Sequence, residues 1–114
     1  MASPNNFEVD LEETLFGKLV EVETPEENTF LTNIAKQERI DIRLGMIDAF
    51  VEGKWVYLSS LKALTFTNWS WGNPDNLFNQ DCATLASYKK YKWDDEDCTE
   101  QRNFVCERLI GSGS

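Results

Sequence analysis

Apolar and polar side chains change period several times along this chain, and each period predicts a different element. Phe7, Leu11 and Leu15 recur every four residues, which predicts a helix over residues 6–16. Residues 18–22 alternate polar and apolar side chains instead, and a period of two is typical of a half-buried strand. The chain is therefore predicted to begin with a helix that is followed by a strand.

A second helix is predicted to begin at Thr24. Thr caps helices well, Pro25 suits the first helical position, and Glu27 can reach back to the cap. The apolar side chains that follow have helical spacing and are expected to face the core: Phe30, Leu31, Ile34 and Ala35.

Short apolar segments after this helix predict strands at residues 43–47, 55–58, 82–86, 91–93 and 104–108. Residues 59–79 have little periodicity but contain Trp69 and Trp71. A loop of about twenty residues is uncommon in a compact domain unless it is functional. We therefore interpret it as a binding loop. Core anchors rather than ligand platforms are expected at Trp55, Trp69 and Trp93, with Trp71 as the exception.

Composition and charge narrow the chemistry of such a loop. The 114 residues suffice for one domain, and 20 acidic against 11 basic residues give a net charge of −9. This charge argues against nucleic acid or an anionic membrane surface as partner and favours cations. Histidine is absent, which removes the usual general base and the commonest transition-metal ligand. Membrane insertion is not expected, because no apolar run approaches ~18 residues.

Oxygen-bearing side chains concentrate in two segments, Asn73-Pro74-Asp75 and Trp93-Asp94-Asp95. Like charges that converge repel each other unless a cation lies between them, and calcium suits oxygen ligands in a flexible loop. The alternative for residues 94–97 is a solvated acidic turn. A glycosidase with two catalytic carboxylates, such as Asp75 and Asp95, is a third hypothesis, but nothing in the sequence marks either for a raised pKa. We expect no enzyme.

Ordered motifs between residues 17 and 107 resemble the C-type lectin-like domain family. They are, in chain order, residues 16–22, Thr24-Pro25-Glu26-Glu27-Asn28, Arg43-Leu44-Gly45-Met46, residues 51–55, Thr67-Asn68-Trp69, Asn73-Pro74-Asp75, Asp81-Cys82, Trp93-Asp94-Asp95 and Cys98 to Cys106. The resemblance implies an α+β C-type lectin-like fold over residues 5–110, with two helices flanking small antiparallel sheets. Residues 1–4 and 111–114 are expected to be artificial ends.

The resemblance also implies a secreted or extracellular lectin that binds carbohydrate through calcium. The calcium ligands would be Asn73, Asp75, Gln80, Asp94 and Asp95. A possible second calcium would be held by Asp48, Glu52, Asn76, Gln80 and Asp81. The sugar would contact Asn73, Asp75, Gln80 and Asp94, with Trp71 or Phe78 stacked on its apolar face.

In the family, an amide-Pro-acid order goes with galactose-type sugars, so by resemblance Asn73-Pro74-Asp75 favours specificity for galactose-type sugars. The peptide bond before Pro74 is expected to be cis. The alternative function is a lectin-like domain that binds no sugar and recognises protein, mineral or ice, which the shortened segment before Cys82 and the presence of Gln80 would favour.

The resemblance pairs Cys82 with Cys98, with two free thiols as the alternative. Such a disulfide would contribute roughly 3 kcal/mol and would imply an oxidising compartment. The family's opening hairpin is missing, and Glu12 stands at the position of its first-helix cysteine. Cys106 is then either a buried thiol or a route to a covalent homodimer. Arg43 replaces the family's usual Trp, so the packing around it is expected to differ.

Overall fold

The computed structural model describes residues 7–10, 18–75, 80–99, 102–104 and 106–109. Helix α1 spans Pro25–Glu38, and a 3-10 helix spans Ser87–Lys89. The strands in these ranges are β1 (Phe7–Asp10), β2 (Lys18–Leu19), β3 (Ile42–Ile47), β4 (Val56–Tyr57), β5 (Cys82–Ala86), β6 (Lys92–Glu96), β7 (Asn103–Phe104) and β8 (Cys106–Leu109). The predicted α+β class is confirmed.

The strands form two sheets. In the smaller sheet, β8 lies between β1 and β2 and pairs antiparallel with both. The larger sheet has the order β4-β3-β5-β6, and β7 pairs in parallel with β3. Strand β6 therefore forms an edge of the larger sheet. The long loop between β4 and β5 runs beside that edge, because Trp69 forms a parallel bridge with Trp93.

The predicted start of α1 is confirmed by its capping contacts. The Thr24 Oγ1 accepts a hydrogen bond from the Glu27 N–H at 3.2 Å. The Glu27 Oε1 in turn accepts from the Glu23 N–H at 3.0 Å, so two backbone donors at the helix start are satisfied. Residues Leu31, Ile34 and Ala35 are buried, and Phe30 packs against them half-buried, as expected.

Three tryptophans join the helix, the sheet and the loop into one core. Trp93 is fully buried, and its Nε1 donates to the Asn28 Oδ1 of α1 at 2.9 Å. The Trp69 ring lies edge-on to both other rings, with centroid distances of 5.5 Å to Trp93 and 4.8 Å to Trp55. The predicted anchoring role of these three residues agrees with this packing.

Gly45 allows β3 to lie directly against the segment that follows β2. Its N–H donates to the Val20 carbonyl at 2.7 Å. A Cβ atom at this position would lie 2.8 Å from the Leu19 carbonyl oxygen, which is closer than packed atoms tolerate. The glycine of the Arg43-Leu44-Gly45-Met46 motif is therefore needed for a close backbone approach.

The helix predicted over residues 6–16 is wrong for Phe7–Asp10, which form β1. These four residues alternate apolar and polar in sequence, and β8 supplies backbone partners along their whole length. Strand pairing outweighs the four-residue spacing here, since helix propensity is a weak prior against tertiary context. Residues 11–17, with Glu12, lie outside the described residues.

The predicted disulfide between Cys82 and Cys98 is confirmed, with a Cα–Cα distance of 5.2 Å. Cys106 lies in β8, opposite Asp10 of β1, and the fate of its thiol stays a prediction. Arg43 is buried on β3, and its Nη2 lies 3.9 Å from the Glu96 Oε1. An ion pair thus occupies the position where the family usually packs an indole ring.

Candidate functional site

Side chains of Glu21, which follows β2, and Tyr57, in β4, hold the start of the long loop. The described part, residues 59–75, contains only isolated bridges. The Glu21 carboxylate accepts from both the N–H and the Oγ of Ser59, each at 2.8 Å. Further along, the Tyr57 hydroxyl accepts from the Thr65 N–H at 3.0 Å. An irregular segment is thereby fixed without regular secondary structure.

The loop next pairs with β6 and turns sharply at Trp71. The Ser70 N–H donates to the Trp93 carbonyl at 2.9 Å, and the Asn73 N–H donates to the Ser70 carbonyl at 3.0 Å. Gly72, third in this turn, has a φ of 83°, a conformation that favours glycine. The turn carries Trp71 at its tip, where the side chain is 98% exposed.

The two predicted ligand motifs meet beyond this turn. The Asn73–Pro74 peptide bond is cis, as the resemblance implied. The Asp75 N–H donates to the Asp95 Oδ1 at 3.2 Å. Asp95 is 1% exposed and pairs with Ala83 on the core face of the sheet, whereas Asp75 is exposed. The end of the loop and strand β6 therefore converge on one point.

The other residues predicted for this site do not all join that pair. Asp94 pairs with Thr84 on the opposite face of the sheet, and its Oδ2 accepts from the Tyr88 hydroxyl at 2.8 Å. Gln80 is half-buried just before β5. Asn76 and Phe78 lie outside the described residues. The structure thus brings Asp75 and Asp95 together and directs Asp94 toward Tyr88.

Three acidic side chains meet where β3 ends and β5 begins. The pairing of Ile47 with Cys82 sets Asp48 beside Asp81, and the Asp48 N–H donates to the Asp81 carbonyl at 3.1 Å. Glu52 returns to the same place through the turn after β3. One oxygen from each of Asp48, Glu52 and Asp81 lies within 4.8 Å of the other two. These are three of the residues predicted for a second calcium.

The charges in this acidic cluster are unfavourable as they stand. Asp48 is 1% exposed, and its Oδ2 accepts from the Gly53 N–H at 3.0 Å. Its Oδ1 is buried and has no hydrogen-bond partner among the described residues. Burial raises the pKa of Asp48, and the adjacent Asp48 carboxyl raises the pKa of Asp81. A divalent cation would pair with the buried oxygen, and an all-oxygen donor set fits calcium.

Sequence reasoning missed a polar cluster on the sheet face opposite the core. Arg102 donates from Nε and Nη2 to the two carboxylate oxygens of Glu96, at 3.0 and 2.7 Å. The Tyr88 hydroxyl also contacts Glu96. Burial would raise the pKa of Glu96, but hydrogen bonds from Arg102 and Tyr88 outweigh burial and lower it to about 2. The sequence signal that could have predicted this polar cluster is the two-residue spacing of Asp94 and Glu96, because it puts both side chains on one face of a strand.

Comparison with known proteins identifies the family. A family model described as "Lectin C-type domain" matches residues 12–108, so the chain belongs to the C-type lectin domain family. Members of this family are in general binding modules rather than enzymes. No helix in the described part of the chain has the length and apolar character needed to cross a membrane.

Two curated relatives illustrate the similarity. The chain is 31% identical over 98 residues to the perlucin-like protein of Mytilus galloprovincialis, covering 82% of this chain and 63% of that protein. It is 37% identical over 94 residues to lectin BRA-3 of Megabalanus rosa, covering 81% and 56%. The chain therefore spans less than two thirds of the length of these relatives.

Solved structures give the same fold. The carbohydrate-recognition domain of the mouse scavenger receptor C-type lectin superposes with a TM-score of 0.74 at 29% identity, covering 84% of this chain and 72% of that one. The herring type II antifreeze protein superposes with a TM-score of 0.72 at 20% identity, covering 82% and 72%. At that lower identity the likeness concerns the fold alone.

Proposed function

We propose that this domain binds carbohydrate through calcium at the end of the long loop. The observation that carries the proposal is the 3.2 Å hydrogen bond from the Asp75 N–H to the Asp95 Oδ1, because it joins two ligand motifs that are far apart in sequence. Calcium takes six to eight oxygen ligands. The proposed ligands supply amide and carboxylate oxygens: Asn73, Asp75, Gln80, Asp94 and Asp95.

The sugar would be held by the same side chains that hold calcium. When bound, calcium supplies coordination positions for two vicinal sugar hydroxyls. Amide and carboxylate groups at Asn73 and Asp75 can donate to and accept from those hydroxyls. The amide-Pro-acid order supports a galactose-type sugar. The 98% exposed Trp71 ring supports stacking on the apolar face of a hexose, a role also proposed for Phe78.

A second calcium is proposed at the acidic cluster of Asp48, Glu52 and Asp81, with Asn76 and Gln80 as further ligands. The buried Asp48 Oδ1, which lacks a hydrogen-bond partner among the described residues, supports a cation at this point. Because Asp81 directly follows Gln80, an ion here would also fix the end of the loop that carries a ligand of the first site. The disulfide supports a secreted or extracellular protein.

A calcium titration with competing sugars tests this function. The domain should be retained on immobilised galactose only with calcium, and free galactose should elute it at lower concentration than mannose. A chelator should abolish retention and lower the melting temperature. Retention and melting temperature that are both indifferent to chelator would contradict the proposal.

The alternative is a lectin-like domain that recognises protein, mineral or ice rather than sugar. The contact between Asp94 and Tyr88 favours it, because that contact takes a carboxylate away from Asp75 and Asp95. Such a domain would bind calcium, if at all, at the acidic cluster. Calcium binding without competition by any monosaccharide would select this alternative.

A further inference from the structure

We propose that Tyr88 is a positioning residue that competes with calcium for the Asp94 carboxylate and thereby weakens calcium binding at the sugar site. This inference rests on the proposed function, since it concerns one of the proposed ligands. Tyr88 lies between β5 and β6, outside both ligand motifs. Its hydroxyl is the hydrogen-bond partner of the Asp94 Oδ2, at 2.8 Å.

The Tyr88 hydroxyl is shared between two carboxylates. It contacts Glu96 as well as Asp94, and a tyrosine hydroxyl has one proton to donate. Glu96 has a second source of donors, because Arg102 binds both of its oxygens. For Asp94, the contact with Tyr88 is the hydrogen bond that the structure describes. The Asp94 carboxylate is therefore the one whose position depends on this hydroxyl.

The turn that carries Tyr88 is fixed at both ends. The Ser87 N–H donates to the Asp41 Oδ1 at 2.7 Å. On the other side, Lys90 and Tyr91 have φ values of 57° and 64°, which is uncommon for side-chain-bearing residues. The Tyr91 N–H closes the turn on the Ala86 carbonyl at 2.8 Å. These contacts fix the turn and thereby hold Tyr88 beside β6, although Tyr88 is 53% exposed.

The position of Asp94 on an edge strand makes the competition possible. Among the described strands of the larger sheet, β6 has a neighbour, β5, on one side only. Its other side faces the loop, because Trp69 bridges Trp93 there and Asp75 binds Asp95. A side chain on an edge strand can turn toward the loop that runs along that edge by a change of rotamer. The Asp94 carboxylate can therefore serve the Tyr88 hydroxyl or an ion at the loop, but not both fully.

The substitution Tyr88→Phe tests the proposal, because it removes only the hydroxyl and leaves the ring. Calcium affinity is measured by NMR titration of the Asp75 amide resonance, because this amide lies at the proposed sugar site. Loss of one hydrogen bond to a carboxylate should tighten calcium binding roughly two- to tenfold. Tyr91→Phe, three residues away in the same turn, is the matched control and should leave the affinity unchanged.

A double-mutant cycle identifies the route of the effect. In an Asp94→Ala background, Tyr88→Phe should no longer tighten calcium binding. A gain that survives in this background, or an unchanged affinity in Tyr88→Phe alone, would overturn the role of Tyr88 while leaving the calcium site intact. An Asp75 amide that does not respond to calcium in either the unsubstituted protein or Tyr88→Phe would overturn the proposed site itself, and the competition with it.

Discussion

Replacing Asp48 with Asn should shift the stability of the domain in opposite directions with and without calcium. In chelator, the substitution removes a buried charge whose oxygen lies within 4.8 Å of oxygens of Glu52 and Asp81. The variant should then be as stable as the unsubstituted protein or more so, because repulsion and desolvation are both relieved. In calcium, the same change removes the most buried proposed ligand of the acidic cluster and should be destabilising.

The expected size follows from the geometry. Two unit charges at 4.8 Å, the upper limit of the oxygen separations in the cluster, repel by roughly 3 kcal/mol at an effective dielectric constant of about 20 and by roughly 1 kcal/mol in water. Glu52 is exposed, so the lower part of that range applies to its pair with Asp48. In calcium at about 100 times the dissociation constant, the unsubstituted protein gains about 2.7 kcal/mol. For a domain of this size that corresponds to roughly 10 °C in melting temperature.

Thermal unfolding in chelator and in calcium measures both effects on the same samples. The matched control is Glu38→Gln, which removes one negative charge from the exposed end of α1 and should leave the calcium response unchanged. A calcium-induced rise in melting temperature that is as large in Asp48→Asn as in the unsubstituted protein would refute the reasoning. So would a strong loss of stability of Asp48→Asn in chelator, since it would show that the carboxylate stabilises the domain without any ion.

Three further substitutions test other parts of the structure. Trp71→Ala should weaken retention on immobilised galactose about tenfold with an unchanged melting temperature, because the ring is 98% exposed; equal retention would remove it from the sugar site. Glu96→Gln should lower the free energy of unfolding by about 2 kcal/mol near pH 6. Since the folded pKa of Glu96 is lowered to about 2 from 4.5, its contribution is complete above pH 4.5 and is lost as the pH falls toward 2, so urea unfolding of the two proteins should converge there. Gly45→Ala should cost about 2 kcal/mol in urea unfolding, because its Cβ would lie 2.8 Å from the Leu19 carbonyl oxygen; a neutral effect would mean that β3 can move away.

Local signals predicted much of the fold. The start of α1 was readable because a capping Thr24 is followed by Pro25 and, three residues after the Thr, by Glu27, and the structure uses all three. Strand β5 was predicted with its observed limits, residues 82–86, because a short segment that is apolar except for Thr84 is typical of a buried strand. At β1 the same kind of reasoning failed, because residues 7–10 alternate apolar and polar while Phe7 also begins the four-residue spacing with Leu11 and Leu15. Pairing with β8 decides in favour of the strand.

The site was predicted less completely because it depends on strand register. The sequence placed Asp94 and Asp95 in one ligand set, on a strand expected to end at residue 93. In the structure β6 extends to Glu96, so adjacent residues point to opposite faces. Asp95 consequently reaches Asp75, whereas Asp94 reaches Tyr88. Tyr88 itself gave no signal, because its hydroxyl meets these carboxylates only after the turn between β5 and β6 has formed.

The covalent link between Cys82 and Cys98 has a practical consequence for work with this domain. Cys82 directly follows Asp81, and Cys98 comes three residues after Asp95, so a single bond ties the segments that carry ligands of both proposed ions. Thiol reagents in a purification buffer would reduce this disulfide and would consequently increase the mobility of both ligand-bearing segments together. Ligand-binding data collected under such conditions would understate the affinity of the oxidised protein long before the polypeptide lost its overall shape.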